Sequence, residues 1–86
     1  MFGLRSGLVL IDEPVSAETT PAGHPSQITG ARGCFRVRRV LEQWQEPGAA
    51  RFYRLQIATP DGLAIAEVVG PPTDAAGPWT LRRIWP

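Results

Sequence analysis

The amino-acid sequence predicts an all-β fold, a small antiparallel meander of four to five strands that curls into a half-open barrel. Three observations point there. Apolar and polar residues alternate at a period of two in several segments. Those segments recur at roughly ten-residue spacing. Nine Gly and nine Pro punctuate the intervals. A chain of 86 residues fits a single small domain spanning 1–86, and a domain of that size buries little more than about 60% of the surface its unfolded form exposes. The core must therefore be compact.

Taken in order, residues 8–11 are a continuous apolar run, Leu8, Val9, Leu10 and Ile11, that suits a short strand and is followed at once by Asp12 and Glu13. Residues 16–33 are rich in Pro, Gly, Ser and Thr, offer little to bury, and read as a long mobile loop. His24, between Gly23 and Pro25 in that loop, reads as an ordinary solvent residue.

From Cys34 the period-two pattern begins, with Phe35 and Val37 on one face and Arg36 and Arg38 on the other. The phase then slips. Val37, Val40, Leu41 and Trp44 also fall at the i, i+3, i+4, i+7 spacing of an amphipathic helix, in which Arg38 and Glu42 would pair. Two readings of residues 38–45 stay open, a strand with a bulge and one short helical turn. The β-branched and aromatic residues, with no N-cap before Arg38, favour the bulged strand.

Residues 51–58 form the clearest strand, with Tyr53, Leu55 and Ile57 opposite Phe52, Arg54 and Gln56. Thr59, Pro60, Asp61 and Gly62 carry tight-turn chemistry, and residues 63–69 return antiparallel as a hairpin. Ala64 and Ala66 leave room there for a bulky neighbour, Trp79 or Trp85. A second loop spans 70–77. The final segment, 78–85, places Trp79, Leu81 and Trp85 on one face with Arg83 as the exception. The curled sheet is expected to hide Phe35, Tyr53, Leu55, Ile57, Leu63, Ile65 and the tryptophans.

The succession Glu13-Pro14-Val15, Phe35-Arg36-Val37-Arg38-Arg39-Val40-Leu41-Glu42-Gln43-Trp44, Phe52-Tyr53-Arg54-Leu55, Asp61-Gly62 and Trp79-Thr80-Leu81-Arg82-Arg83-Ile84-Trp85 resembles a family of short uncharacterised bacterial domains. The resemblance covers most of residues 10–86. That family is similar in turn to the tail domain of catalytically degraded Y-family polymerase subunits of mutagenic repair. The resemblance implies a link to DNA repair and supplies no catalytic residue. Gly33 and Cys34 depart from the basic or aromatic residues expected before Phe35, and Leu63, Ala64, Ile65 and Ala66 replace a more aromatic strand.

Several chemistries lack their parts. Ser6, Ser16 and Ser26 have only His24 as a partner base and sit in no nucleophile elbow. Asp12 and Glu13 are strand neighbours that point to opposite faces. The stretch from Gly30 to Gly33 lacks the lysine of a P-loop. The expectation is a non-enzymatic domain without a cofactor. A single cysteine, Cys34, cannot form an internal disulfide, and with His24 alone it cannot build a zinc site. As the first residue of a strand, Cys34 reads as a small apolar filler. The apolar run at residues 8–11 is too short for a membrane span or a signal sequence, so a cytoplasmic protein is expected.

All nine basic residues are arginine. They are sorted along the chain: residues 32–54 hold six Arg against Glu42 and Glu46, net +4, in a chain of net +1 and pI about 8.0. If Arg36 and Arg38 share an outward face with Arg54, and Phe52 lies beside them, the result is a basic surface with an exposed ring. Single-stranded nucleic acid is held by such a mixture, guanidinium on phosphate and base on ring. The sequence therefore nominates Arg36, Arg38, Phe52 and Arg54 as a nucleic-acid-contacting set in an accessory module linked to DNA repair. Exposed arginines also simply solvate a sheet face. A third reading is a protein-docking module, with a repair protein as partner, anchored by Phe52 and Trp85 ringed with Arg.

Overall fold

The structure, a computed structural model, describes residues 9–45, 47–72 and 77–86. Leu8, expected to begin the first strand, and residues 73–76 of the second expected loop lie outside the described residues. Six strands follow one another along the chain: β1 (Val9–Thr19), β2 (Pro25–Gly30), β3 (Gly33–Gln45), β4 (Arg51–Thr59), β5 (Gly62–Gly70) and β6 (Trp79–Trp85). Each pairs antiparallel with the next, and β1 pairs with β6, so the sheet closes into a barrel. The all-β meander is as the sequence predicts. It has six strands instead of four or five, and the barrel is closed.

The extra strand comes from the stretch expected as a loop. β1 runs on to Thr19, and the polar segment PSQITG becomes β2, pairing Ala17 with Ile28 on one side and Ile28 with Phe35 on the other. Intrinsic propensity does not select a strand there. Ile28, 1% exposed, does, because hiding it requires that backbone to bridge β1 and β3. What remains of the loop is a turn at residues 20–24, where the Thr20 carbonyl accepts the Gly23 N–H (2.7 Å) and the Thr20 N–H donates to the His24 carbonyl (2.8 Å), and a two-residue turn at Ala31 and Arg32.

Hairpin β4–β5 forms on the expected turn. Thr59 pairs with Gly62, the Thr59 hydroxyl accepts the Asp61 N–H (3.2 Å) and donates to the Gly62 carbonyl (2.7 Å). Gly62 has φ 122°, a conformation that side chains resist.

Bulges decide which side chains face inward. On β3 the register to β4 slips at Arg38 and again at Leu41. The short helical turn considered for residues 38–45 is therefore absent and the segment is strand throughout. The i, i+3 spacing of Val37 and Val40 arises because the extra residue at Arg38 returns Val40 to the core side. The expected Arg38–Glu42 pair does not form; Glu42 pairs with Arg54. On β6 the slip at Arg82 corrects the expected face: Ile84 packs on the core with Leu81 and Trp79, while Trp85 turns outward and is half-buried. A further bulge on β1 places Asp12 at φ 53°, and Asp12 and Arg82, residues of two different bulges, form an ion pair.

The core consists of Ile28, Tyr53, Leu55, Ile57, Ala64, Ala66, Val68, Trp79 and Leu81. Besides Trp85, three residues expected inside are not: Leu63 is 54% exposed and Trp44 43% exposed, and Ile65 is half-buried, its neighbours Ala64 and Ala66 having taken the inner face. The bulky-against-small contact lies elsewhere on β5, at Gly70, against which the Trp79 ring packs closely. Arg51 shares the parity of Tyr53, Leu55 and Ile57 and closes one mouth of the barrel. It donates from Nε to the Pro71 carbonyl (2.9 Å) and from Nη1 to the Gly23 carbonyl (3.0 Å), and its guanidinium lies 5.2 Å from the Trp79 ring.

Candidate nucleic-acid interface

β3 is longer than its neighbour on one side. Its pairing with β2 ends at Arg36 opposite Gln27, whereas its pairing with β4 continues to Gln45 opposite Arg51. Among the described residues, the second edge of β3 beyond that point has no strand partner. The same half of β3 carries Arg38, Arg39 and Trp44.

Arg36 and Arg38 are exposed, with Phe35 and Val37 turned to the core between them. The bulge at Arg38 adds Arg39 to the exposed set, since the two residues of a bulge tend to project to one side. No acidic partner meets any of these three among the described residues.

The other described arginines are all engaged. Arg32 lies 3.2 Å from Glu13, Arg83 lies 3.2 Å from Glu67, Arg82 pairs with Asp12, and Arg51 is bound to carbonyls. Arg54, nominated by the sequence, pairs with both Glu42 and Glu67. Its charge is matched, which separates it electrostatically from Arg36 and Arg38. It sits instead between two indoles, 5.8 Å from the Trp44 ring and 5.9 Å from the Trp85 ring, and so braces the aromatic part of the outer surface.

Phe52, also nominated, is half-buried because Trp44 lies flat upon it, ring centroids 5.5 Å apart and planes 5° apart. The exposed face of that stack is Trp44. Between Arg39, opposite Gln56, and Trp44, opposite Phe52, the surface runs for about 13 Å at the rise of a strand. The site as built is thus Arg36, Arg38 and Arg39 at one end, Trp44 on Phe52 at the other, and the neutral cluster of Glu42, Arg54, Glu67 and Arg83 alongside. Arg39 is the residue that strict alternation misses; Trp44 keeps the parity of Arg36 and Arg38, because the slips at Arg38 and Leu41 cancel, and is expected inside only as one of the tryptophans.

Two further expectations need correction. His24 is half-buried against Tyr53, ring centroids 6.0 Å apart, because the tight turn at residues 20–24 folds it over the barrel mouth. Cys34 is exposed, its side chain on the outer face with its Sγ 3.4 Å from the Thr29 hydroxyl, so it fills no core space. Among the described residues no three His, Cys, Asp or Glu side chains come together as a metal-binding group. No protein-family model, curated protein or solved structure matches this chain.

Proposed function

We propose that this chain is a non-enzymatic accessory module that holds single-stranded nucleic acid along the outer face of β3, in a DNA-repair setting. Phosphates meet Arg36, Arg38 and Arg39, and a base stacks on Trp44. One observation carries the reading: among the described residues, the three guanidiniums without a protein partner are neighbours on one strand, beside an exposed indole. Arginine scattered for solubility would not leave its unmatched charge in one place. Stacking on a ring of this kind contributes about 1–3 kcal/mol per base, and the phosphate contacts add a salt-dependent attraction.

Fluorescence anisotropy of a labelled single-stranded oligonucleotide at low salt tests it. Saturable binding at micromolar protein that weakens as salt rises is expected. Absence of binding, or binding indifferent to salt, would remove the proposal and leave edge protection as the purpose of the arginines.

The unpaired edge of β3 favours a second reading, a docking surface on which an extended, acidic segment of a partner protein adds a strand. That mode would slow amide exchange along residues 38–45 on addition of the partner, whereas binding through side chains would leave those amides unchanged.

A further inference from the structure

A cleft of about 370 Å³ opens at the barrel mouth between the turn at residues 20–24 and the adjoining ends of β3 and β4, walled by His24, Gln43, Trp44, Arg51, Phe52 and Tyr53. We infer that it receives a single guanine base. The inference rests on the single-strand reading for where the base comes from, but the chemistry of the cleft stands by itself.

Its size lies near the lower end of the roughly 300–1,000 Å³ of small-molecule sites. Its walls are aromatic: the His24 and Tyr53 rings are inclined at 58°, and the Trp44 and Phe52 stack continues the outer binding path to its rim. Three polar groups converge there unspent. Arg51 uses Nε and Nη1 on Pro71, Gly23 and the Tyr53 hydroxyl, which leaves Nη2 without a protein partner among the described residues. The Gln43 carboxamide and the His24 imidazole likewise make no hydrogen bond among the described residues. No carboxylate is among the described residues that line the cleft.

An aromatic-walled cleft that offers donors and a fixed positive charge suits a flat ring with acceptors along one edge. Guanine presents two acceptors, O6 and N7, on its major-groove edge, whereas adenine presents one acceptor and one donor. Arg51 Nη2 and the Gln43 amide N–H meet the first pattern. Adenine fits only with the Gln43 amide turned to offer its oxygen to the amino group, and its single edge acceptor gives the Arg51 charge less to hold than O6 and N7 together. Pyrimidines present no N7 at all.

The test is an NMR titration of the isotopically labelled full chain with guanosine, adenosine and uridine monophosphates and with inorganic phosphate, at salt high enough to suppress binding to the β3 arginines. Guanosine monophosphate is expected to shift the His24, Gln43 and Trp44 side-chain signals saturably, with adenosine monophosphate about tenfold weaker and inorganic phosphate without effect. Gln43→Ala should weaken the guanosine nucleotide about tenfold while leaving the affinity for a polypyrimidine oligonucleotide unchanged. Equal shifts from all nucleotides or from phosphate, or none from the guanosine nucleotide, would overturn the inference. Guanosine binding without oligonucleotide binding would instead retain the cleft and overturn the β3 path.

Discussion

Gly70→Ala isolates the contact on which the inner packing of β5 and β6 depends. A Cβ at Gly70 would lie 2.5 Å from both Cε3 and Cη2 of Trp79, where carbon atoms prefer about 3.5–4.0 Å. The ring would have to withdraw by about 1 Å or more to restore that distance. It has little room to do so. Trp79 is 7% exposed, Tyr53 lies 5.9 Å from it, and the Arg51 guanidinium covers it at 5.2 Å. Overpacking of this kind costs about 1–3 kcal/mol. The loss is net of the modest stabilisation, about 0.4–1 kcal/mol, that replacing glycine normally brings by restricting the unfolded chain. In a domain of this size each kcal/mol moves Tm by about 4–8 °C, so circular-dichroism melting should show a drop of at least about 4 °C. The double variant with Trp79→Phe provides a second test, because the smaller ring removes the atoms that collide. Its destabilisation should be less than the sum of the two single changes. A Gly70→Ala protein that melts with the wild type, or strictly additive effects in the double variant, would refute the packing described for this corner.

Three other outcomes follow from the same structure. Trp79→Ala and Tyr53→Ala should each cost about 3–5 kcal/mol in urea unfolding, through reduced burial and the cavity left behind. Arg51→Ala should cost about 1–3 kcal/mol by freeing two partly buried carbonyls, and Arg51→Lys should not restore it, since an ammonium cannot span the Pro71 and Gly23 oxygens as the guanidinium fork does. Arg36→Ala combined with Arg38→Ala should change stability by no more than about 0.5 kcal/mol per site in thermal melts, both side chains being exposed; severe unfolding would show those guanidiniums to be structural.

Hairpin β4–β5 was legible because each level of the sequence agrees there: strict alternation, a Pro-Asp-Gly turn and β-branched or aromatic side chains. The outward setting of Arg36 and Arg38 followed from the same alternation. The phase of the chain beyond a bulge was not legible. One extra residue at Arg38, Leu41 or Arg82 reverses the face of everything after it, and nothing local in these segments marks where the extra residue falls. That is why Trp85 and Ile84 exchange faces and why Arg39 joins the candidate site unannounced, whereas the second slip at Leu41 cancels the first and leaves Trp44 on the side of Arg36 and Arg38. β2 was hidden for a different reason. Its only large aliphatic residue is Ile28, and its strand conformation comes from neighbours far along the chain. Arg51 was within reach of the sequence: parity alone puts it with Tyr53, Leu55 and Ile57, and an inward arginine at the end of a strand suggests a plug for the barrel mouth. The engagement of Arg54 with Glu42 and Glu67 depends on register across three strands, which no single segment reveals.

The most direct test of the proposed β3 path is the salt dependence of single-strand binding by the wild type and by the combined Arg36→Ala, Arg38→Ala and Arg39→Ala variant. Removing one guanidinium from its phosphate should reduce the slope of log affinity against log salt by about 0.7, so removal of all three should lower it by about 2. A variant that binds the same oligonucleotide with the wild-type slope would place the nucleic acid elsewhere on the barrel and contradict the β3 path.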